Sequence, residues 1–196
     1  MYIVFQIILR SPANFSIFFY LFSVHVLSSI AELEHNIIRA KMSYPSNFLS
    51  RFVLPKSQYH FALARPDFRI NFAINSGSLS YPTSAVPLYK PFTLNEQLNT
   101  ITSQFVSFCV HVKRKSLKGD VQITLPRIFQ WFAEDFGPSG SASDVMYAIE
   151  PYLSKDKKET LASIWNAKKR CYEIGIFSLK YLPFSFECRF LTGERD

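Results

Sequence analysis

Helical and extended patterns alternate along the second half of this 196-residue chain, and the alternation restricts it to a mixed fold. A helix is predicted after Thr93, which forms a capping-box pattern with Glu96. Its apolar face is formed by Leu94, Leu98, Ile101 and Phe105. Extended segments are predicted at 108–112 and 120–124, and the basic run 113–118 between them predicts the tip of a hairpin.

The remaining segments follow the same alternation. A helix is predicted over 125–137, capped by Thr124 with Pro126 in its first turn. Its buried stripe is Leu125, Ile128, Phe129, Phe132 and Phe136. Two further helices are predicted to begin at Ser143 and Ser154, and two extended pieces lie around Pro183.

Nearer the N-terminus, residues 32–40 are predicted to end a helix, and residues 69–75 alternate polar and apolar side chains, which predicts a strand. The whole pattern predicts an α+β fold. We expect a single compact domain in which helices pack on a small, mostly antiparallel sheet.

Composition supports a packed domain and excludes several classes of protein. Hydrophobic residues make up 48% and charged residues 19%, so an intrinsically disordered chain is excluded. The net charge is 22 − 15 = +7. The three cysteines have no metal-ligand spacing, which favours a reducing, cytoplasmic environment without disulfides. The sequence contains no HExxH, GxSxG, GxxxxGK[ST] or GxGxxG motif, so the common zinc, hydrolase and nucleotide sites are not predicted and no cofactor is expected.

Residues 1–31 form a strongly apolar N-terminal segment. A transmembrane helix needs about 20 continuous apolar residues, and Pro12, Asn14 and His25 interrupt this stretch. A signal peptide needs a basic region before its apolar core, whereas the first cation, Arg10, follows the first apolar run. We therefore predict a buried core helix, with a signal or a membrane anchor as the alternatives.

Three groups of residues could carry chemistry. Glu34 and His35 place a carboxylate and an imidazole at a helix end, where they could serve acid–base chemistry. Ser76 follows the predicted strand and could act as a nucleophile if a base lay within about 3 Å. The basic run 113–118 could bind phosphate or anionic lipid, but no aromatic side chains interleave with its cations, so we interpret it as a solvated tip and expect no nucleic-acid partner.

Four segments, in order, resemble the domain-of-unknown-function 547 family. Residues 33–39 (LEHNIIR) are similar to the motif IEHGILR, and 69–82 (RINFAINSGSLSYP) to DPRIHFALNCGSxSCP. Residues 125–137 are similar to LPKIFKWYxxDFG, and 181–191 (YLPFSFECRFL) to VPFSFEFRYLL. The positions that match the motifs and are singled out as candidates are Arg39, Arg69, Asn71, Gly77 and Pro82.

The departures from these motifs shape the functional expectation. Asn71 stands where the motif has His, Ser76 where it has the first Cys, and Tyr81 where it has the second Cys. A further family block survives partly at residues 14–25, only ten residues from the next block at His35, so the resemblance implies a divergent, N-terminally truncated member of eukaryotic type.

The resemblance implies two alternative functions. The first is an intracellular regulatory or interaction domain, with protein partners and without catalysis. The second is a hydrolase or transferase with a distantly papain- or transglutaminase-like architecture, which would use Ser76 with His35 or His25 as base and Glu34 nearby. The expected organisation is an apolar segment at 1–31, the family-like domain at 32–191 and a short tail at 192–196.

Overall fold

The computed structural model describes residues 33–43, 62–75, 78–82, 87–115, 121–166, 171–172 and 177–187. It opens with a π-helix at Leu33–Ile38. The α-helices are α1 (Ile70–Ala73), α2 (Leu94–Cys109), α3 (Ile128–Trp131), α4 (Ala142–Ile149) and α5 (Lys155–Ala162), with 3₁₀ turns at Ala133–Asp135 and Glu150–Tyr152. The strands are β1 (His111–Arg114), β2 (Val121–Pro126), β3 (Trp165–Asn166), β4 (Cys171–Tyr172) and β5 (Phe177–Leu182). The predicted α+β class is confirmed.

Strand β2 lies at the centre of a three-stranded sheet in the order β1-β2-β5. It pairs antiparallel with β1, with His111 opposite Thr124, and parallel with β5, with Val121 opposite Phe177. Strands β3 and β4 form a separate antiparallel pair. The inward side chains of β2 (Val121, Ile123, Leu125) are at most 1% exposed, so the sheet forms one wall of the core.

Phenylalanine side chains fill the space between the sheet and the helices. Phe72 stacks on Phe105 with ring centroids 4.7 Å apart, and Phe129 lies 5.4 Å from Phe72 and 5.3 Å from Phe136. Aromatic pairs at these separations stabilise a core beyond their buried area, by about 0.5–1.5 kcal/mol each. Helices α1, α2 and α3 are therefore joined through one aromatic cluster.

The face predicted for the helix after Thr93 is confirmed, because Leu98, Ile101 and Phe105 are buried on α2. The predicted capping box is wrong. The Thr93 side chain makes no capping bond, and its hydroxyl donates to the Gln97 side chain instead. The helix also continues to Cys109, so the strand predicted at 108–112 begins only at His111.

The strand predicted over 69–75 is wrong, because residues Ile70–Ala73 form the short helix α1. All four of its residues are buried, the polar Asn71 included, so the alternation of polar and apolar residues did not mark an exposed and a buried face. Just before the helix, the Asp67 carboxylate accepts a hydrogen bond from the Arg69 backbone and turns the chain.

The helix predicted over 125–137 is also wrong in its first residues. Leu125 and Pro126 belong to β2, because they pair with Tyr181 and Leu182 of β5 more than 50 residues away. The helical part is reduced to α3 and the following 3₁₀ turn. The predicted stripe is buried except for Phe132, which is partly buried.

The hairpin around the basic run is confirmed in its two strands, and residues 116–120 of its tip lie outside the described residues. The extended piece before Pro183 is confirmed as β5. The segments 1–31 and 192–196 also lie outside the described residues. Within the part of the chain that the structure describes, no helix has the length and apolar character needed to cross a membrane.

Candidate functional site

The π-helix places Arg39 at the centre of a buried polar cluster. The Arg39 backbone N–H donates to the carbonyl of Glu34, five residues earlier, which is the spacing that defines a π turn. The Arg39 guanidinium then donates from Nη2 to Asp135 Oδ2 at 2.9 Å and to the Ser43 carbonyl at 3.0 Å. Its Nη1 donates to Asn71 Oδ1.

Asn71 and Asp135 complete the cluster, which we call the Arg39–Asn71–Asp135 triad. Asn71 Nδ2 donates to Asp135 Oδ2 at 3.0 Å, so each member contacts the other two. Asp135 Oδ1 accepts the Ser43 backbone N–H at 2.5 Å. The Arg39 and Asp135 side chains are 2% and 1% exposed. The triad joins the π-helix, α1 and the 3₁₀ turn after α3, and hence three of the four family-like segments.

Phe132 covers one side of the triad. Its ring centroid lies 3.8 Å from the Arg39 guanidinium carbon, a cation–π contact. The burial that encloses Arg39 lowers its pKa, and the charge of Asp135 opposes that effect. Because a buried guanidinium without its carboxylate would be costly, the triad is a structural unit whose members depend on each other.

Glu34 and His35 lie close enough to the triad for the Arg39 charge to act on both; His35 is buried and Glu34 half-buried. Burial raises the pKa of Glu34, and the charge of Arg39 partly offsets that rise. Burial also lowers the pKa of His35, and the Arg39 charge lowers it further. Because this pKa is lowered, the imidazole is neutral near pH 7, and at 7% exposed it is shielded from solvent.

Tyr81 is buried and lies close enough to Glu34 and Arg39 for their charges to act on its phenol. Burial raises the pKa of its phenol, and the charge of Glu34 raises that pKa further. The phenol therefore stays protonated at physiological pH. A buried, neutral tyrosine occupies the position where the family motif has its second cysteine.

Serine side chains connect the second family-like segment to the fourth. The Ser78 hydroxyl donates to the Ser185 carbonyl at 2.6 Å, and the Ser185 backbone N–H donates to the Ser80 hydroxyl oxygen at 2.8 Å. The Leu79 backbone N–H donates to the Glu187 carbonyl at 3.0 Å. All four family-like segments are thus joined in the folded chain.

Arg69, another candidate from the sequence, makes its contacts outside the triad. Arg69 forms a more exposed ion pair with Asp67 at 2.6 Å and donates to Asn95 and Asn99 of α2. Pro82 lies half-buried after Tyr81. Ser76, Gly77 and His25 lie outside the described residues.

Asp135 is the functional candidate that sequence reasoning missed, although it stands in the DFG segment of the third family-like block. The signal was therefore present in the motif. Its partner could not be read from the sequence, because Arg39 lies 96 residues earlier in the chain.

The described residues offer no metal centre, and the Cys109 thiol is not activated. They contain no group of three side chains that could hold a metal ion. Burial raises the pKa of the Cys109 thiol to about 11, so this thiol is protonated and unreactive at neutral pH.

Comparison with protein-family models gives a match for the N-terminal half of the chain. A family model described as "Protein of unknown function, DUF547" matches residues 8–106, which include the first two of the four family-like segments and the block at 14–25. Neither the curated proteins nor the solved structures contain a match to the chain.

Proposed function

The chain belongs to the DUF547 family of proteins of unknown function, and from that premise we propose that it is a non-catalytic interaction domain that regulates a protein partner inside the cell. One observation carries this proposal. Asn71 stands at the motif position of the histidine, and its amide oxygen accepts from Arg39 while its amide nitrogen donates to Asp135 within the buried triad. An amide neither accepts nor releases a proton near neutral pH, so this position supports packing and not acid–base chemistry.

The second replaced position supports the same proposal. Tyr81 stands at the motif's second cysteine, is 7% exposed and has a raised pKa because of its burial. A neutral, enclosed phenol is a poor nucleophile. Two positions at which the family motif has His or Cys therefore carry side chains that stabilise the core.

The binding role is supported by the exposed surface. Large aromatic side chains stand exposed at Phe92 (90%), Phe108 (71%) and Tyr147 (66%). Aromatic residues are enriched in protein interfaces, where they bury a large area with few rotatable bonds. A domain of this kind acts by presenting a surface to another protein.

The competing function is a hydrolase or transferase in which Ser76 attacks and His35 is the base. The lowered pKa of His35 favours it, because a neutral imidazole can accept a proton. Its burial argues against it, because a base that is 7% exposed has little access to a substrate.

Covalent labelling with a fluorophosphonate probe separates the two functions. An activated serine reacts with this probe, whereas an ordinary hydroxyl does not. We expect the native chain to label no more than the Ser76→Ala variant. His111→Gln provides a control, since His111 is exposed. Labelling that disappears in both Ser76→Ala and His35→Gln but persists in His111→Gln would establish the hydrolase function and refute the proposal.

A further inference from the structure

The β1-β2-β5 sheet has one face in the core. On its other face the side chains of β1 and β5 are exposed, whereas on β2 Gln122 and Thr124 are half-buried and Pro126 is buried. In one row of the register, Val112, Ile123 and Leu179 are neighbours, and they point into the core. The next rows point outward, because successive side chains of a strand alternate between the faces. They contain His111, Thr124 and Lys180, and then Lys113, Gln122 and Ser178.

The outer face is positively charged. Lys113 and Lys180 are exposed, and neither forms an ion pair within the part of the chain that the structure describes. Arg114, also exposed at the end of β1, lies opposite the core residue Val121 and therefore does not belong to the outward rows. The three strands contain no Asp or Glu, so nothing on them neutralises this charge.

The spacing of the two lysines suits an extended chain. Lys113 and Lys180 lie two strands and two register rows apart, which corresponds to about 12 Å between their positions on the sheet. Side chains four residues apart on one face of an extended segment are separated by about 13 Å. Leu182 follows Lys180 on the outer face and is 37% exposed, so it adds an apolar contact beside the charges.

From this placement we propose that the outer face of the β1-β2-β5 sheet binds an acidic segment of a protein partner that also carries an apolar residue. The inference rests on the proposed interaction role and adds the surface and the chemistry of the partner. The surface fits nucleic acid less well, since the outward positions contain no Phe, Tyr or Trp on which bases could stack.

The test measures binding of a fluorescein-labelled peptide that alternates Glu with Ser and contains one Leu. The test variant is Lys113→Glu/Lys180→Glu. The matched control is Lys90→Glu/Lys155→Glu, which changes two exposed lysines outside the sheet and lowers the net charge equally, from +7 to 7 − 4 = +3. A peptide with Gln in place of Glu and an unstructured single-stranded RNA complete the set of probes, and thermal melting verifies that both variants fold.

We expect the acidic peptide to bind the native chain, and the test variant to weaken this binding by about tenfold or more, with a much smaller change in the control. The Gln peptide should bind at least about tenfold more weakly than the Glu peptide. Equal loss in both variants would overturn the inference, since net charge alone would then explain binding. Absence of peptide binding, or tighter RNA binding that depends on the same two lysines, would also overturn it. These results leave the Ser76 labelling experiment unaffected, so the two proposals can fail separately.

Discussion

Replacing Asp135 by asparagine removes the buried negative charge and changes almost nothing in size. Three donors converge on this carboxylate: Arg39 Nη2 and Asn71 Nδ2 on Oδ2, and the Ser43 backbone N–H on Oδ1. Both oxygens accept, so an amide would turn its NH₂ group toward at least one donor. The guanidinium of Arg39 would also remain buried without a counter-charge.

The structure sets the size of this effect. Because the Arg39 and Asp135 side chains are 2% and 1% exposed, solvent cannot replace the lost partner. Breaking a buried pair of this kind costs about 3–5 kcal/mol, a large part of the stability of an ordinary domain. We therefore expect Asp135→Asn to lower the free energy of unfolding by about 3–5 kcal/mol.

Equilibrium unfolding in urea measures the change, with the free energy obtained by linear extrapolation. Asp67→Asn is the matched control, because Asp67 also pairs with an arginine, at 2.6 Å, but the two side chains are 16% and 26% exposed. That variant should lose about 1 kcal/mol or less. Equal losses in the two variants, or a loss below about 1 kcal/mol for Asp135→Asn, would refute the reasoning.

Three other predictions concern the core, the pH response and the free thiol. Phe129 is 0% exposed, so Phe129→Ala should lower the free energy of unfolding by about 3–5 kcal/mol. Phe132 is only partly buried, so Phe132→Ala should lower it clearly less, and the reverse order would contradict the packing. The lowered pKa of His35 means that the unfolded chain binds a proton more readily than the folded chain, so the free energy of unfolding should fall as the pH drops below about 6.5. In urea unfolding, His35→Gln should reduce this loss of stability. Glu34→Gln should increase the loss, because the raised pKa of Glu34 makes the folded chain the better proton acceptor at that residue. Cys109 is tested in a variant whose other two cysteines are replaced by serine. Because the pKa of its thiol is about 11 in the folded chain against an ordinary value of 9.0, it should react with iodoacetamide about 100-fold more slowly in the folded chain than in urea. Equal rates would show that the thiol is accessible and unperturbed in the folded chain.

The sequence predicted those parts of the fold that depend on neighbouring residues. The apolar face of α2 follows from spacing along one helix, and the β1–β2 hairpin follows from two extended segments separated by a short basic run. These elements could be predicted because the interactions that form them are local.

The errors occurred where distant parts of the chain decide the structure. Leu125 and Pro126 extend β2 because β5 pairs with them, and no local signal in a Leu-Pro sequence contains that information. Residues 70–73 form a helix that is buried on all sides, so alternation of residue types carries no information about its faces.

The candidate site was predictable only in part. Glu34, His35, Arg39 and Asn71 were identified from the sequence, and the structure places them together. Their relation to Asp135 depends on contacts across 64 and 96 residues. The interpretation of Asn71 as a structural residue therefore required the fold.

A double-mutant cycle between Asn71 and Asp135 tests the central claim most directly, namely that the family-like polar positions form one structural unit. Unfolding free energies are measured for the native chain, Asn71→Ala, Asp135→Ala and the double variant. Because the two side chains contact each other and share Arg39, we predict a coupling energy of at least about 1 kcal/mol. Additive losses, within about 0.3–0.5 kcal/mol, would contradict the account, since the two residues would then act independently.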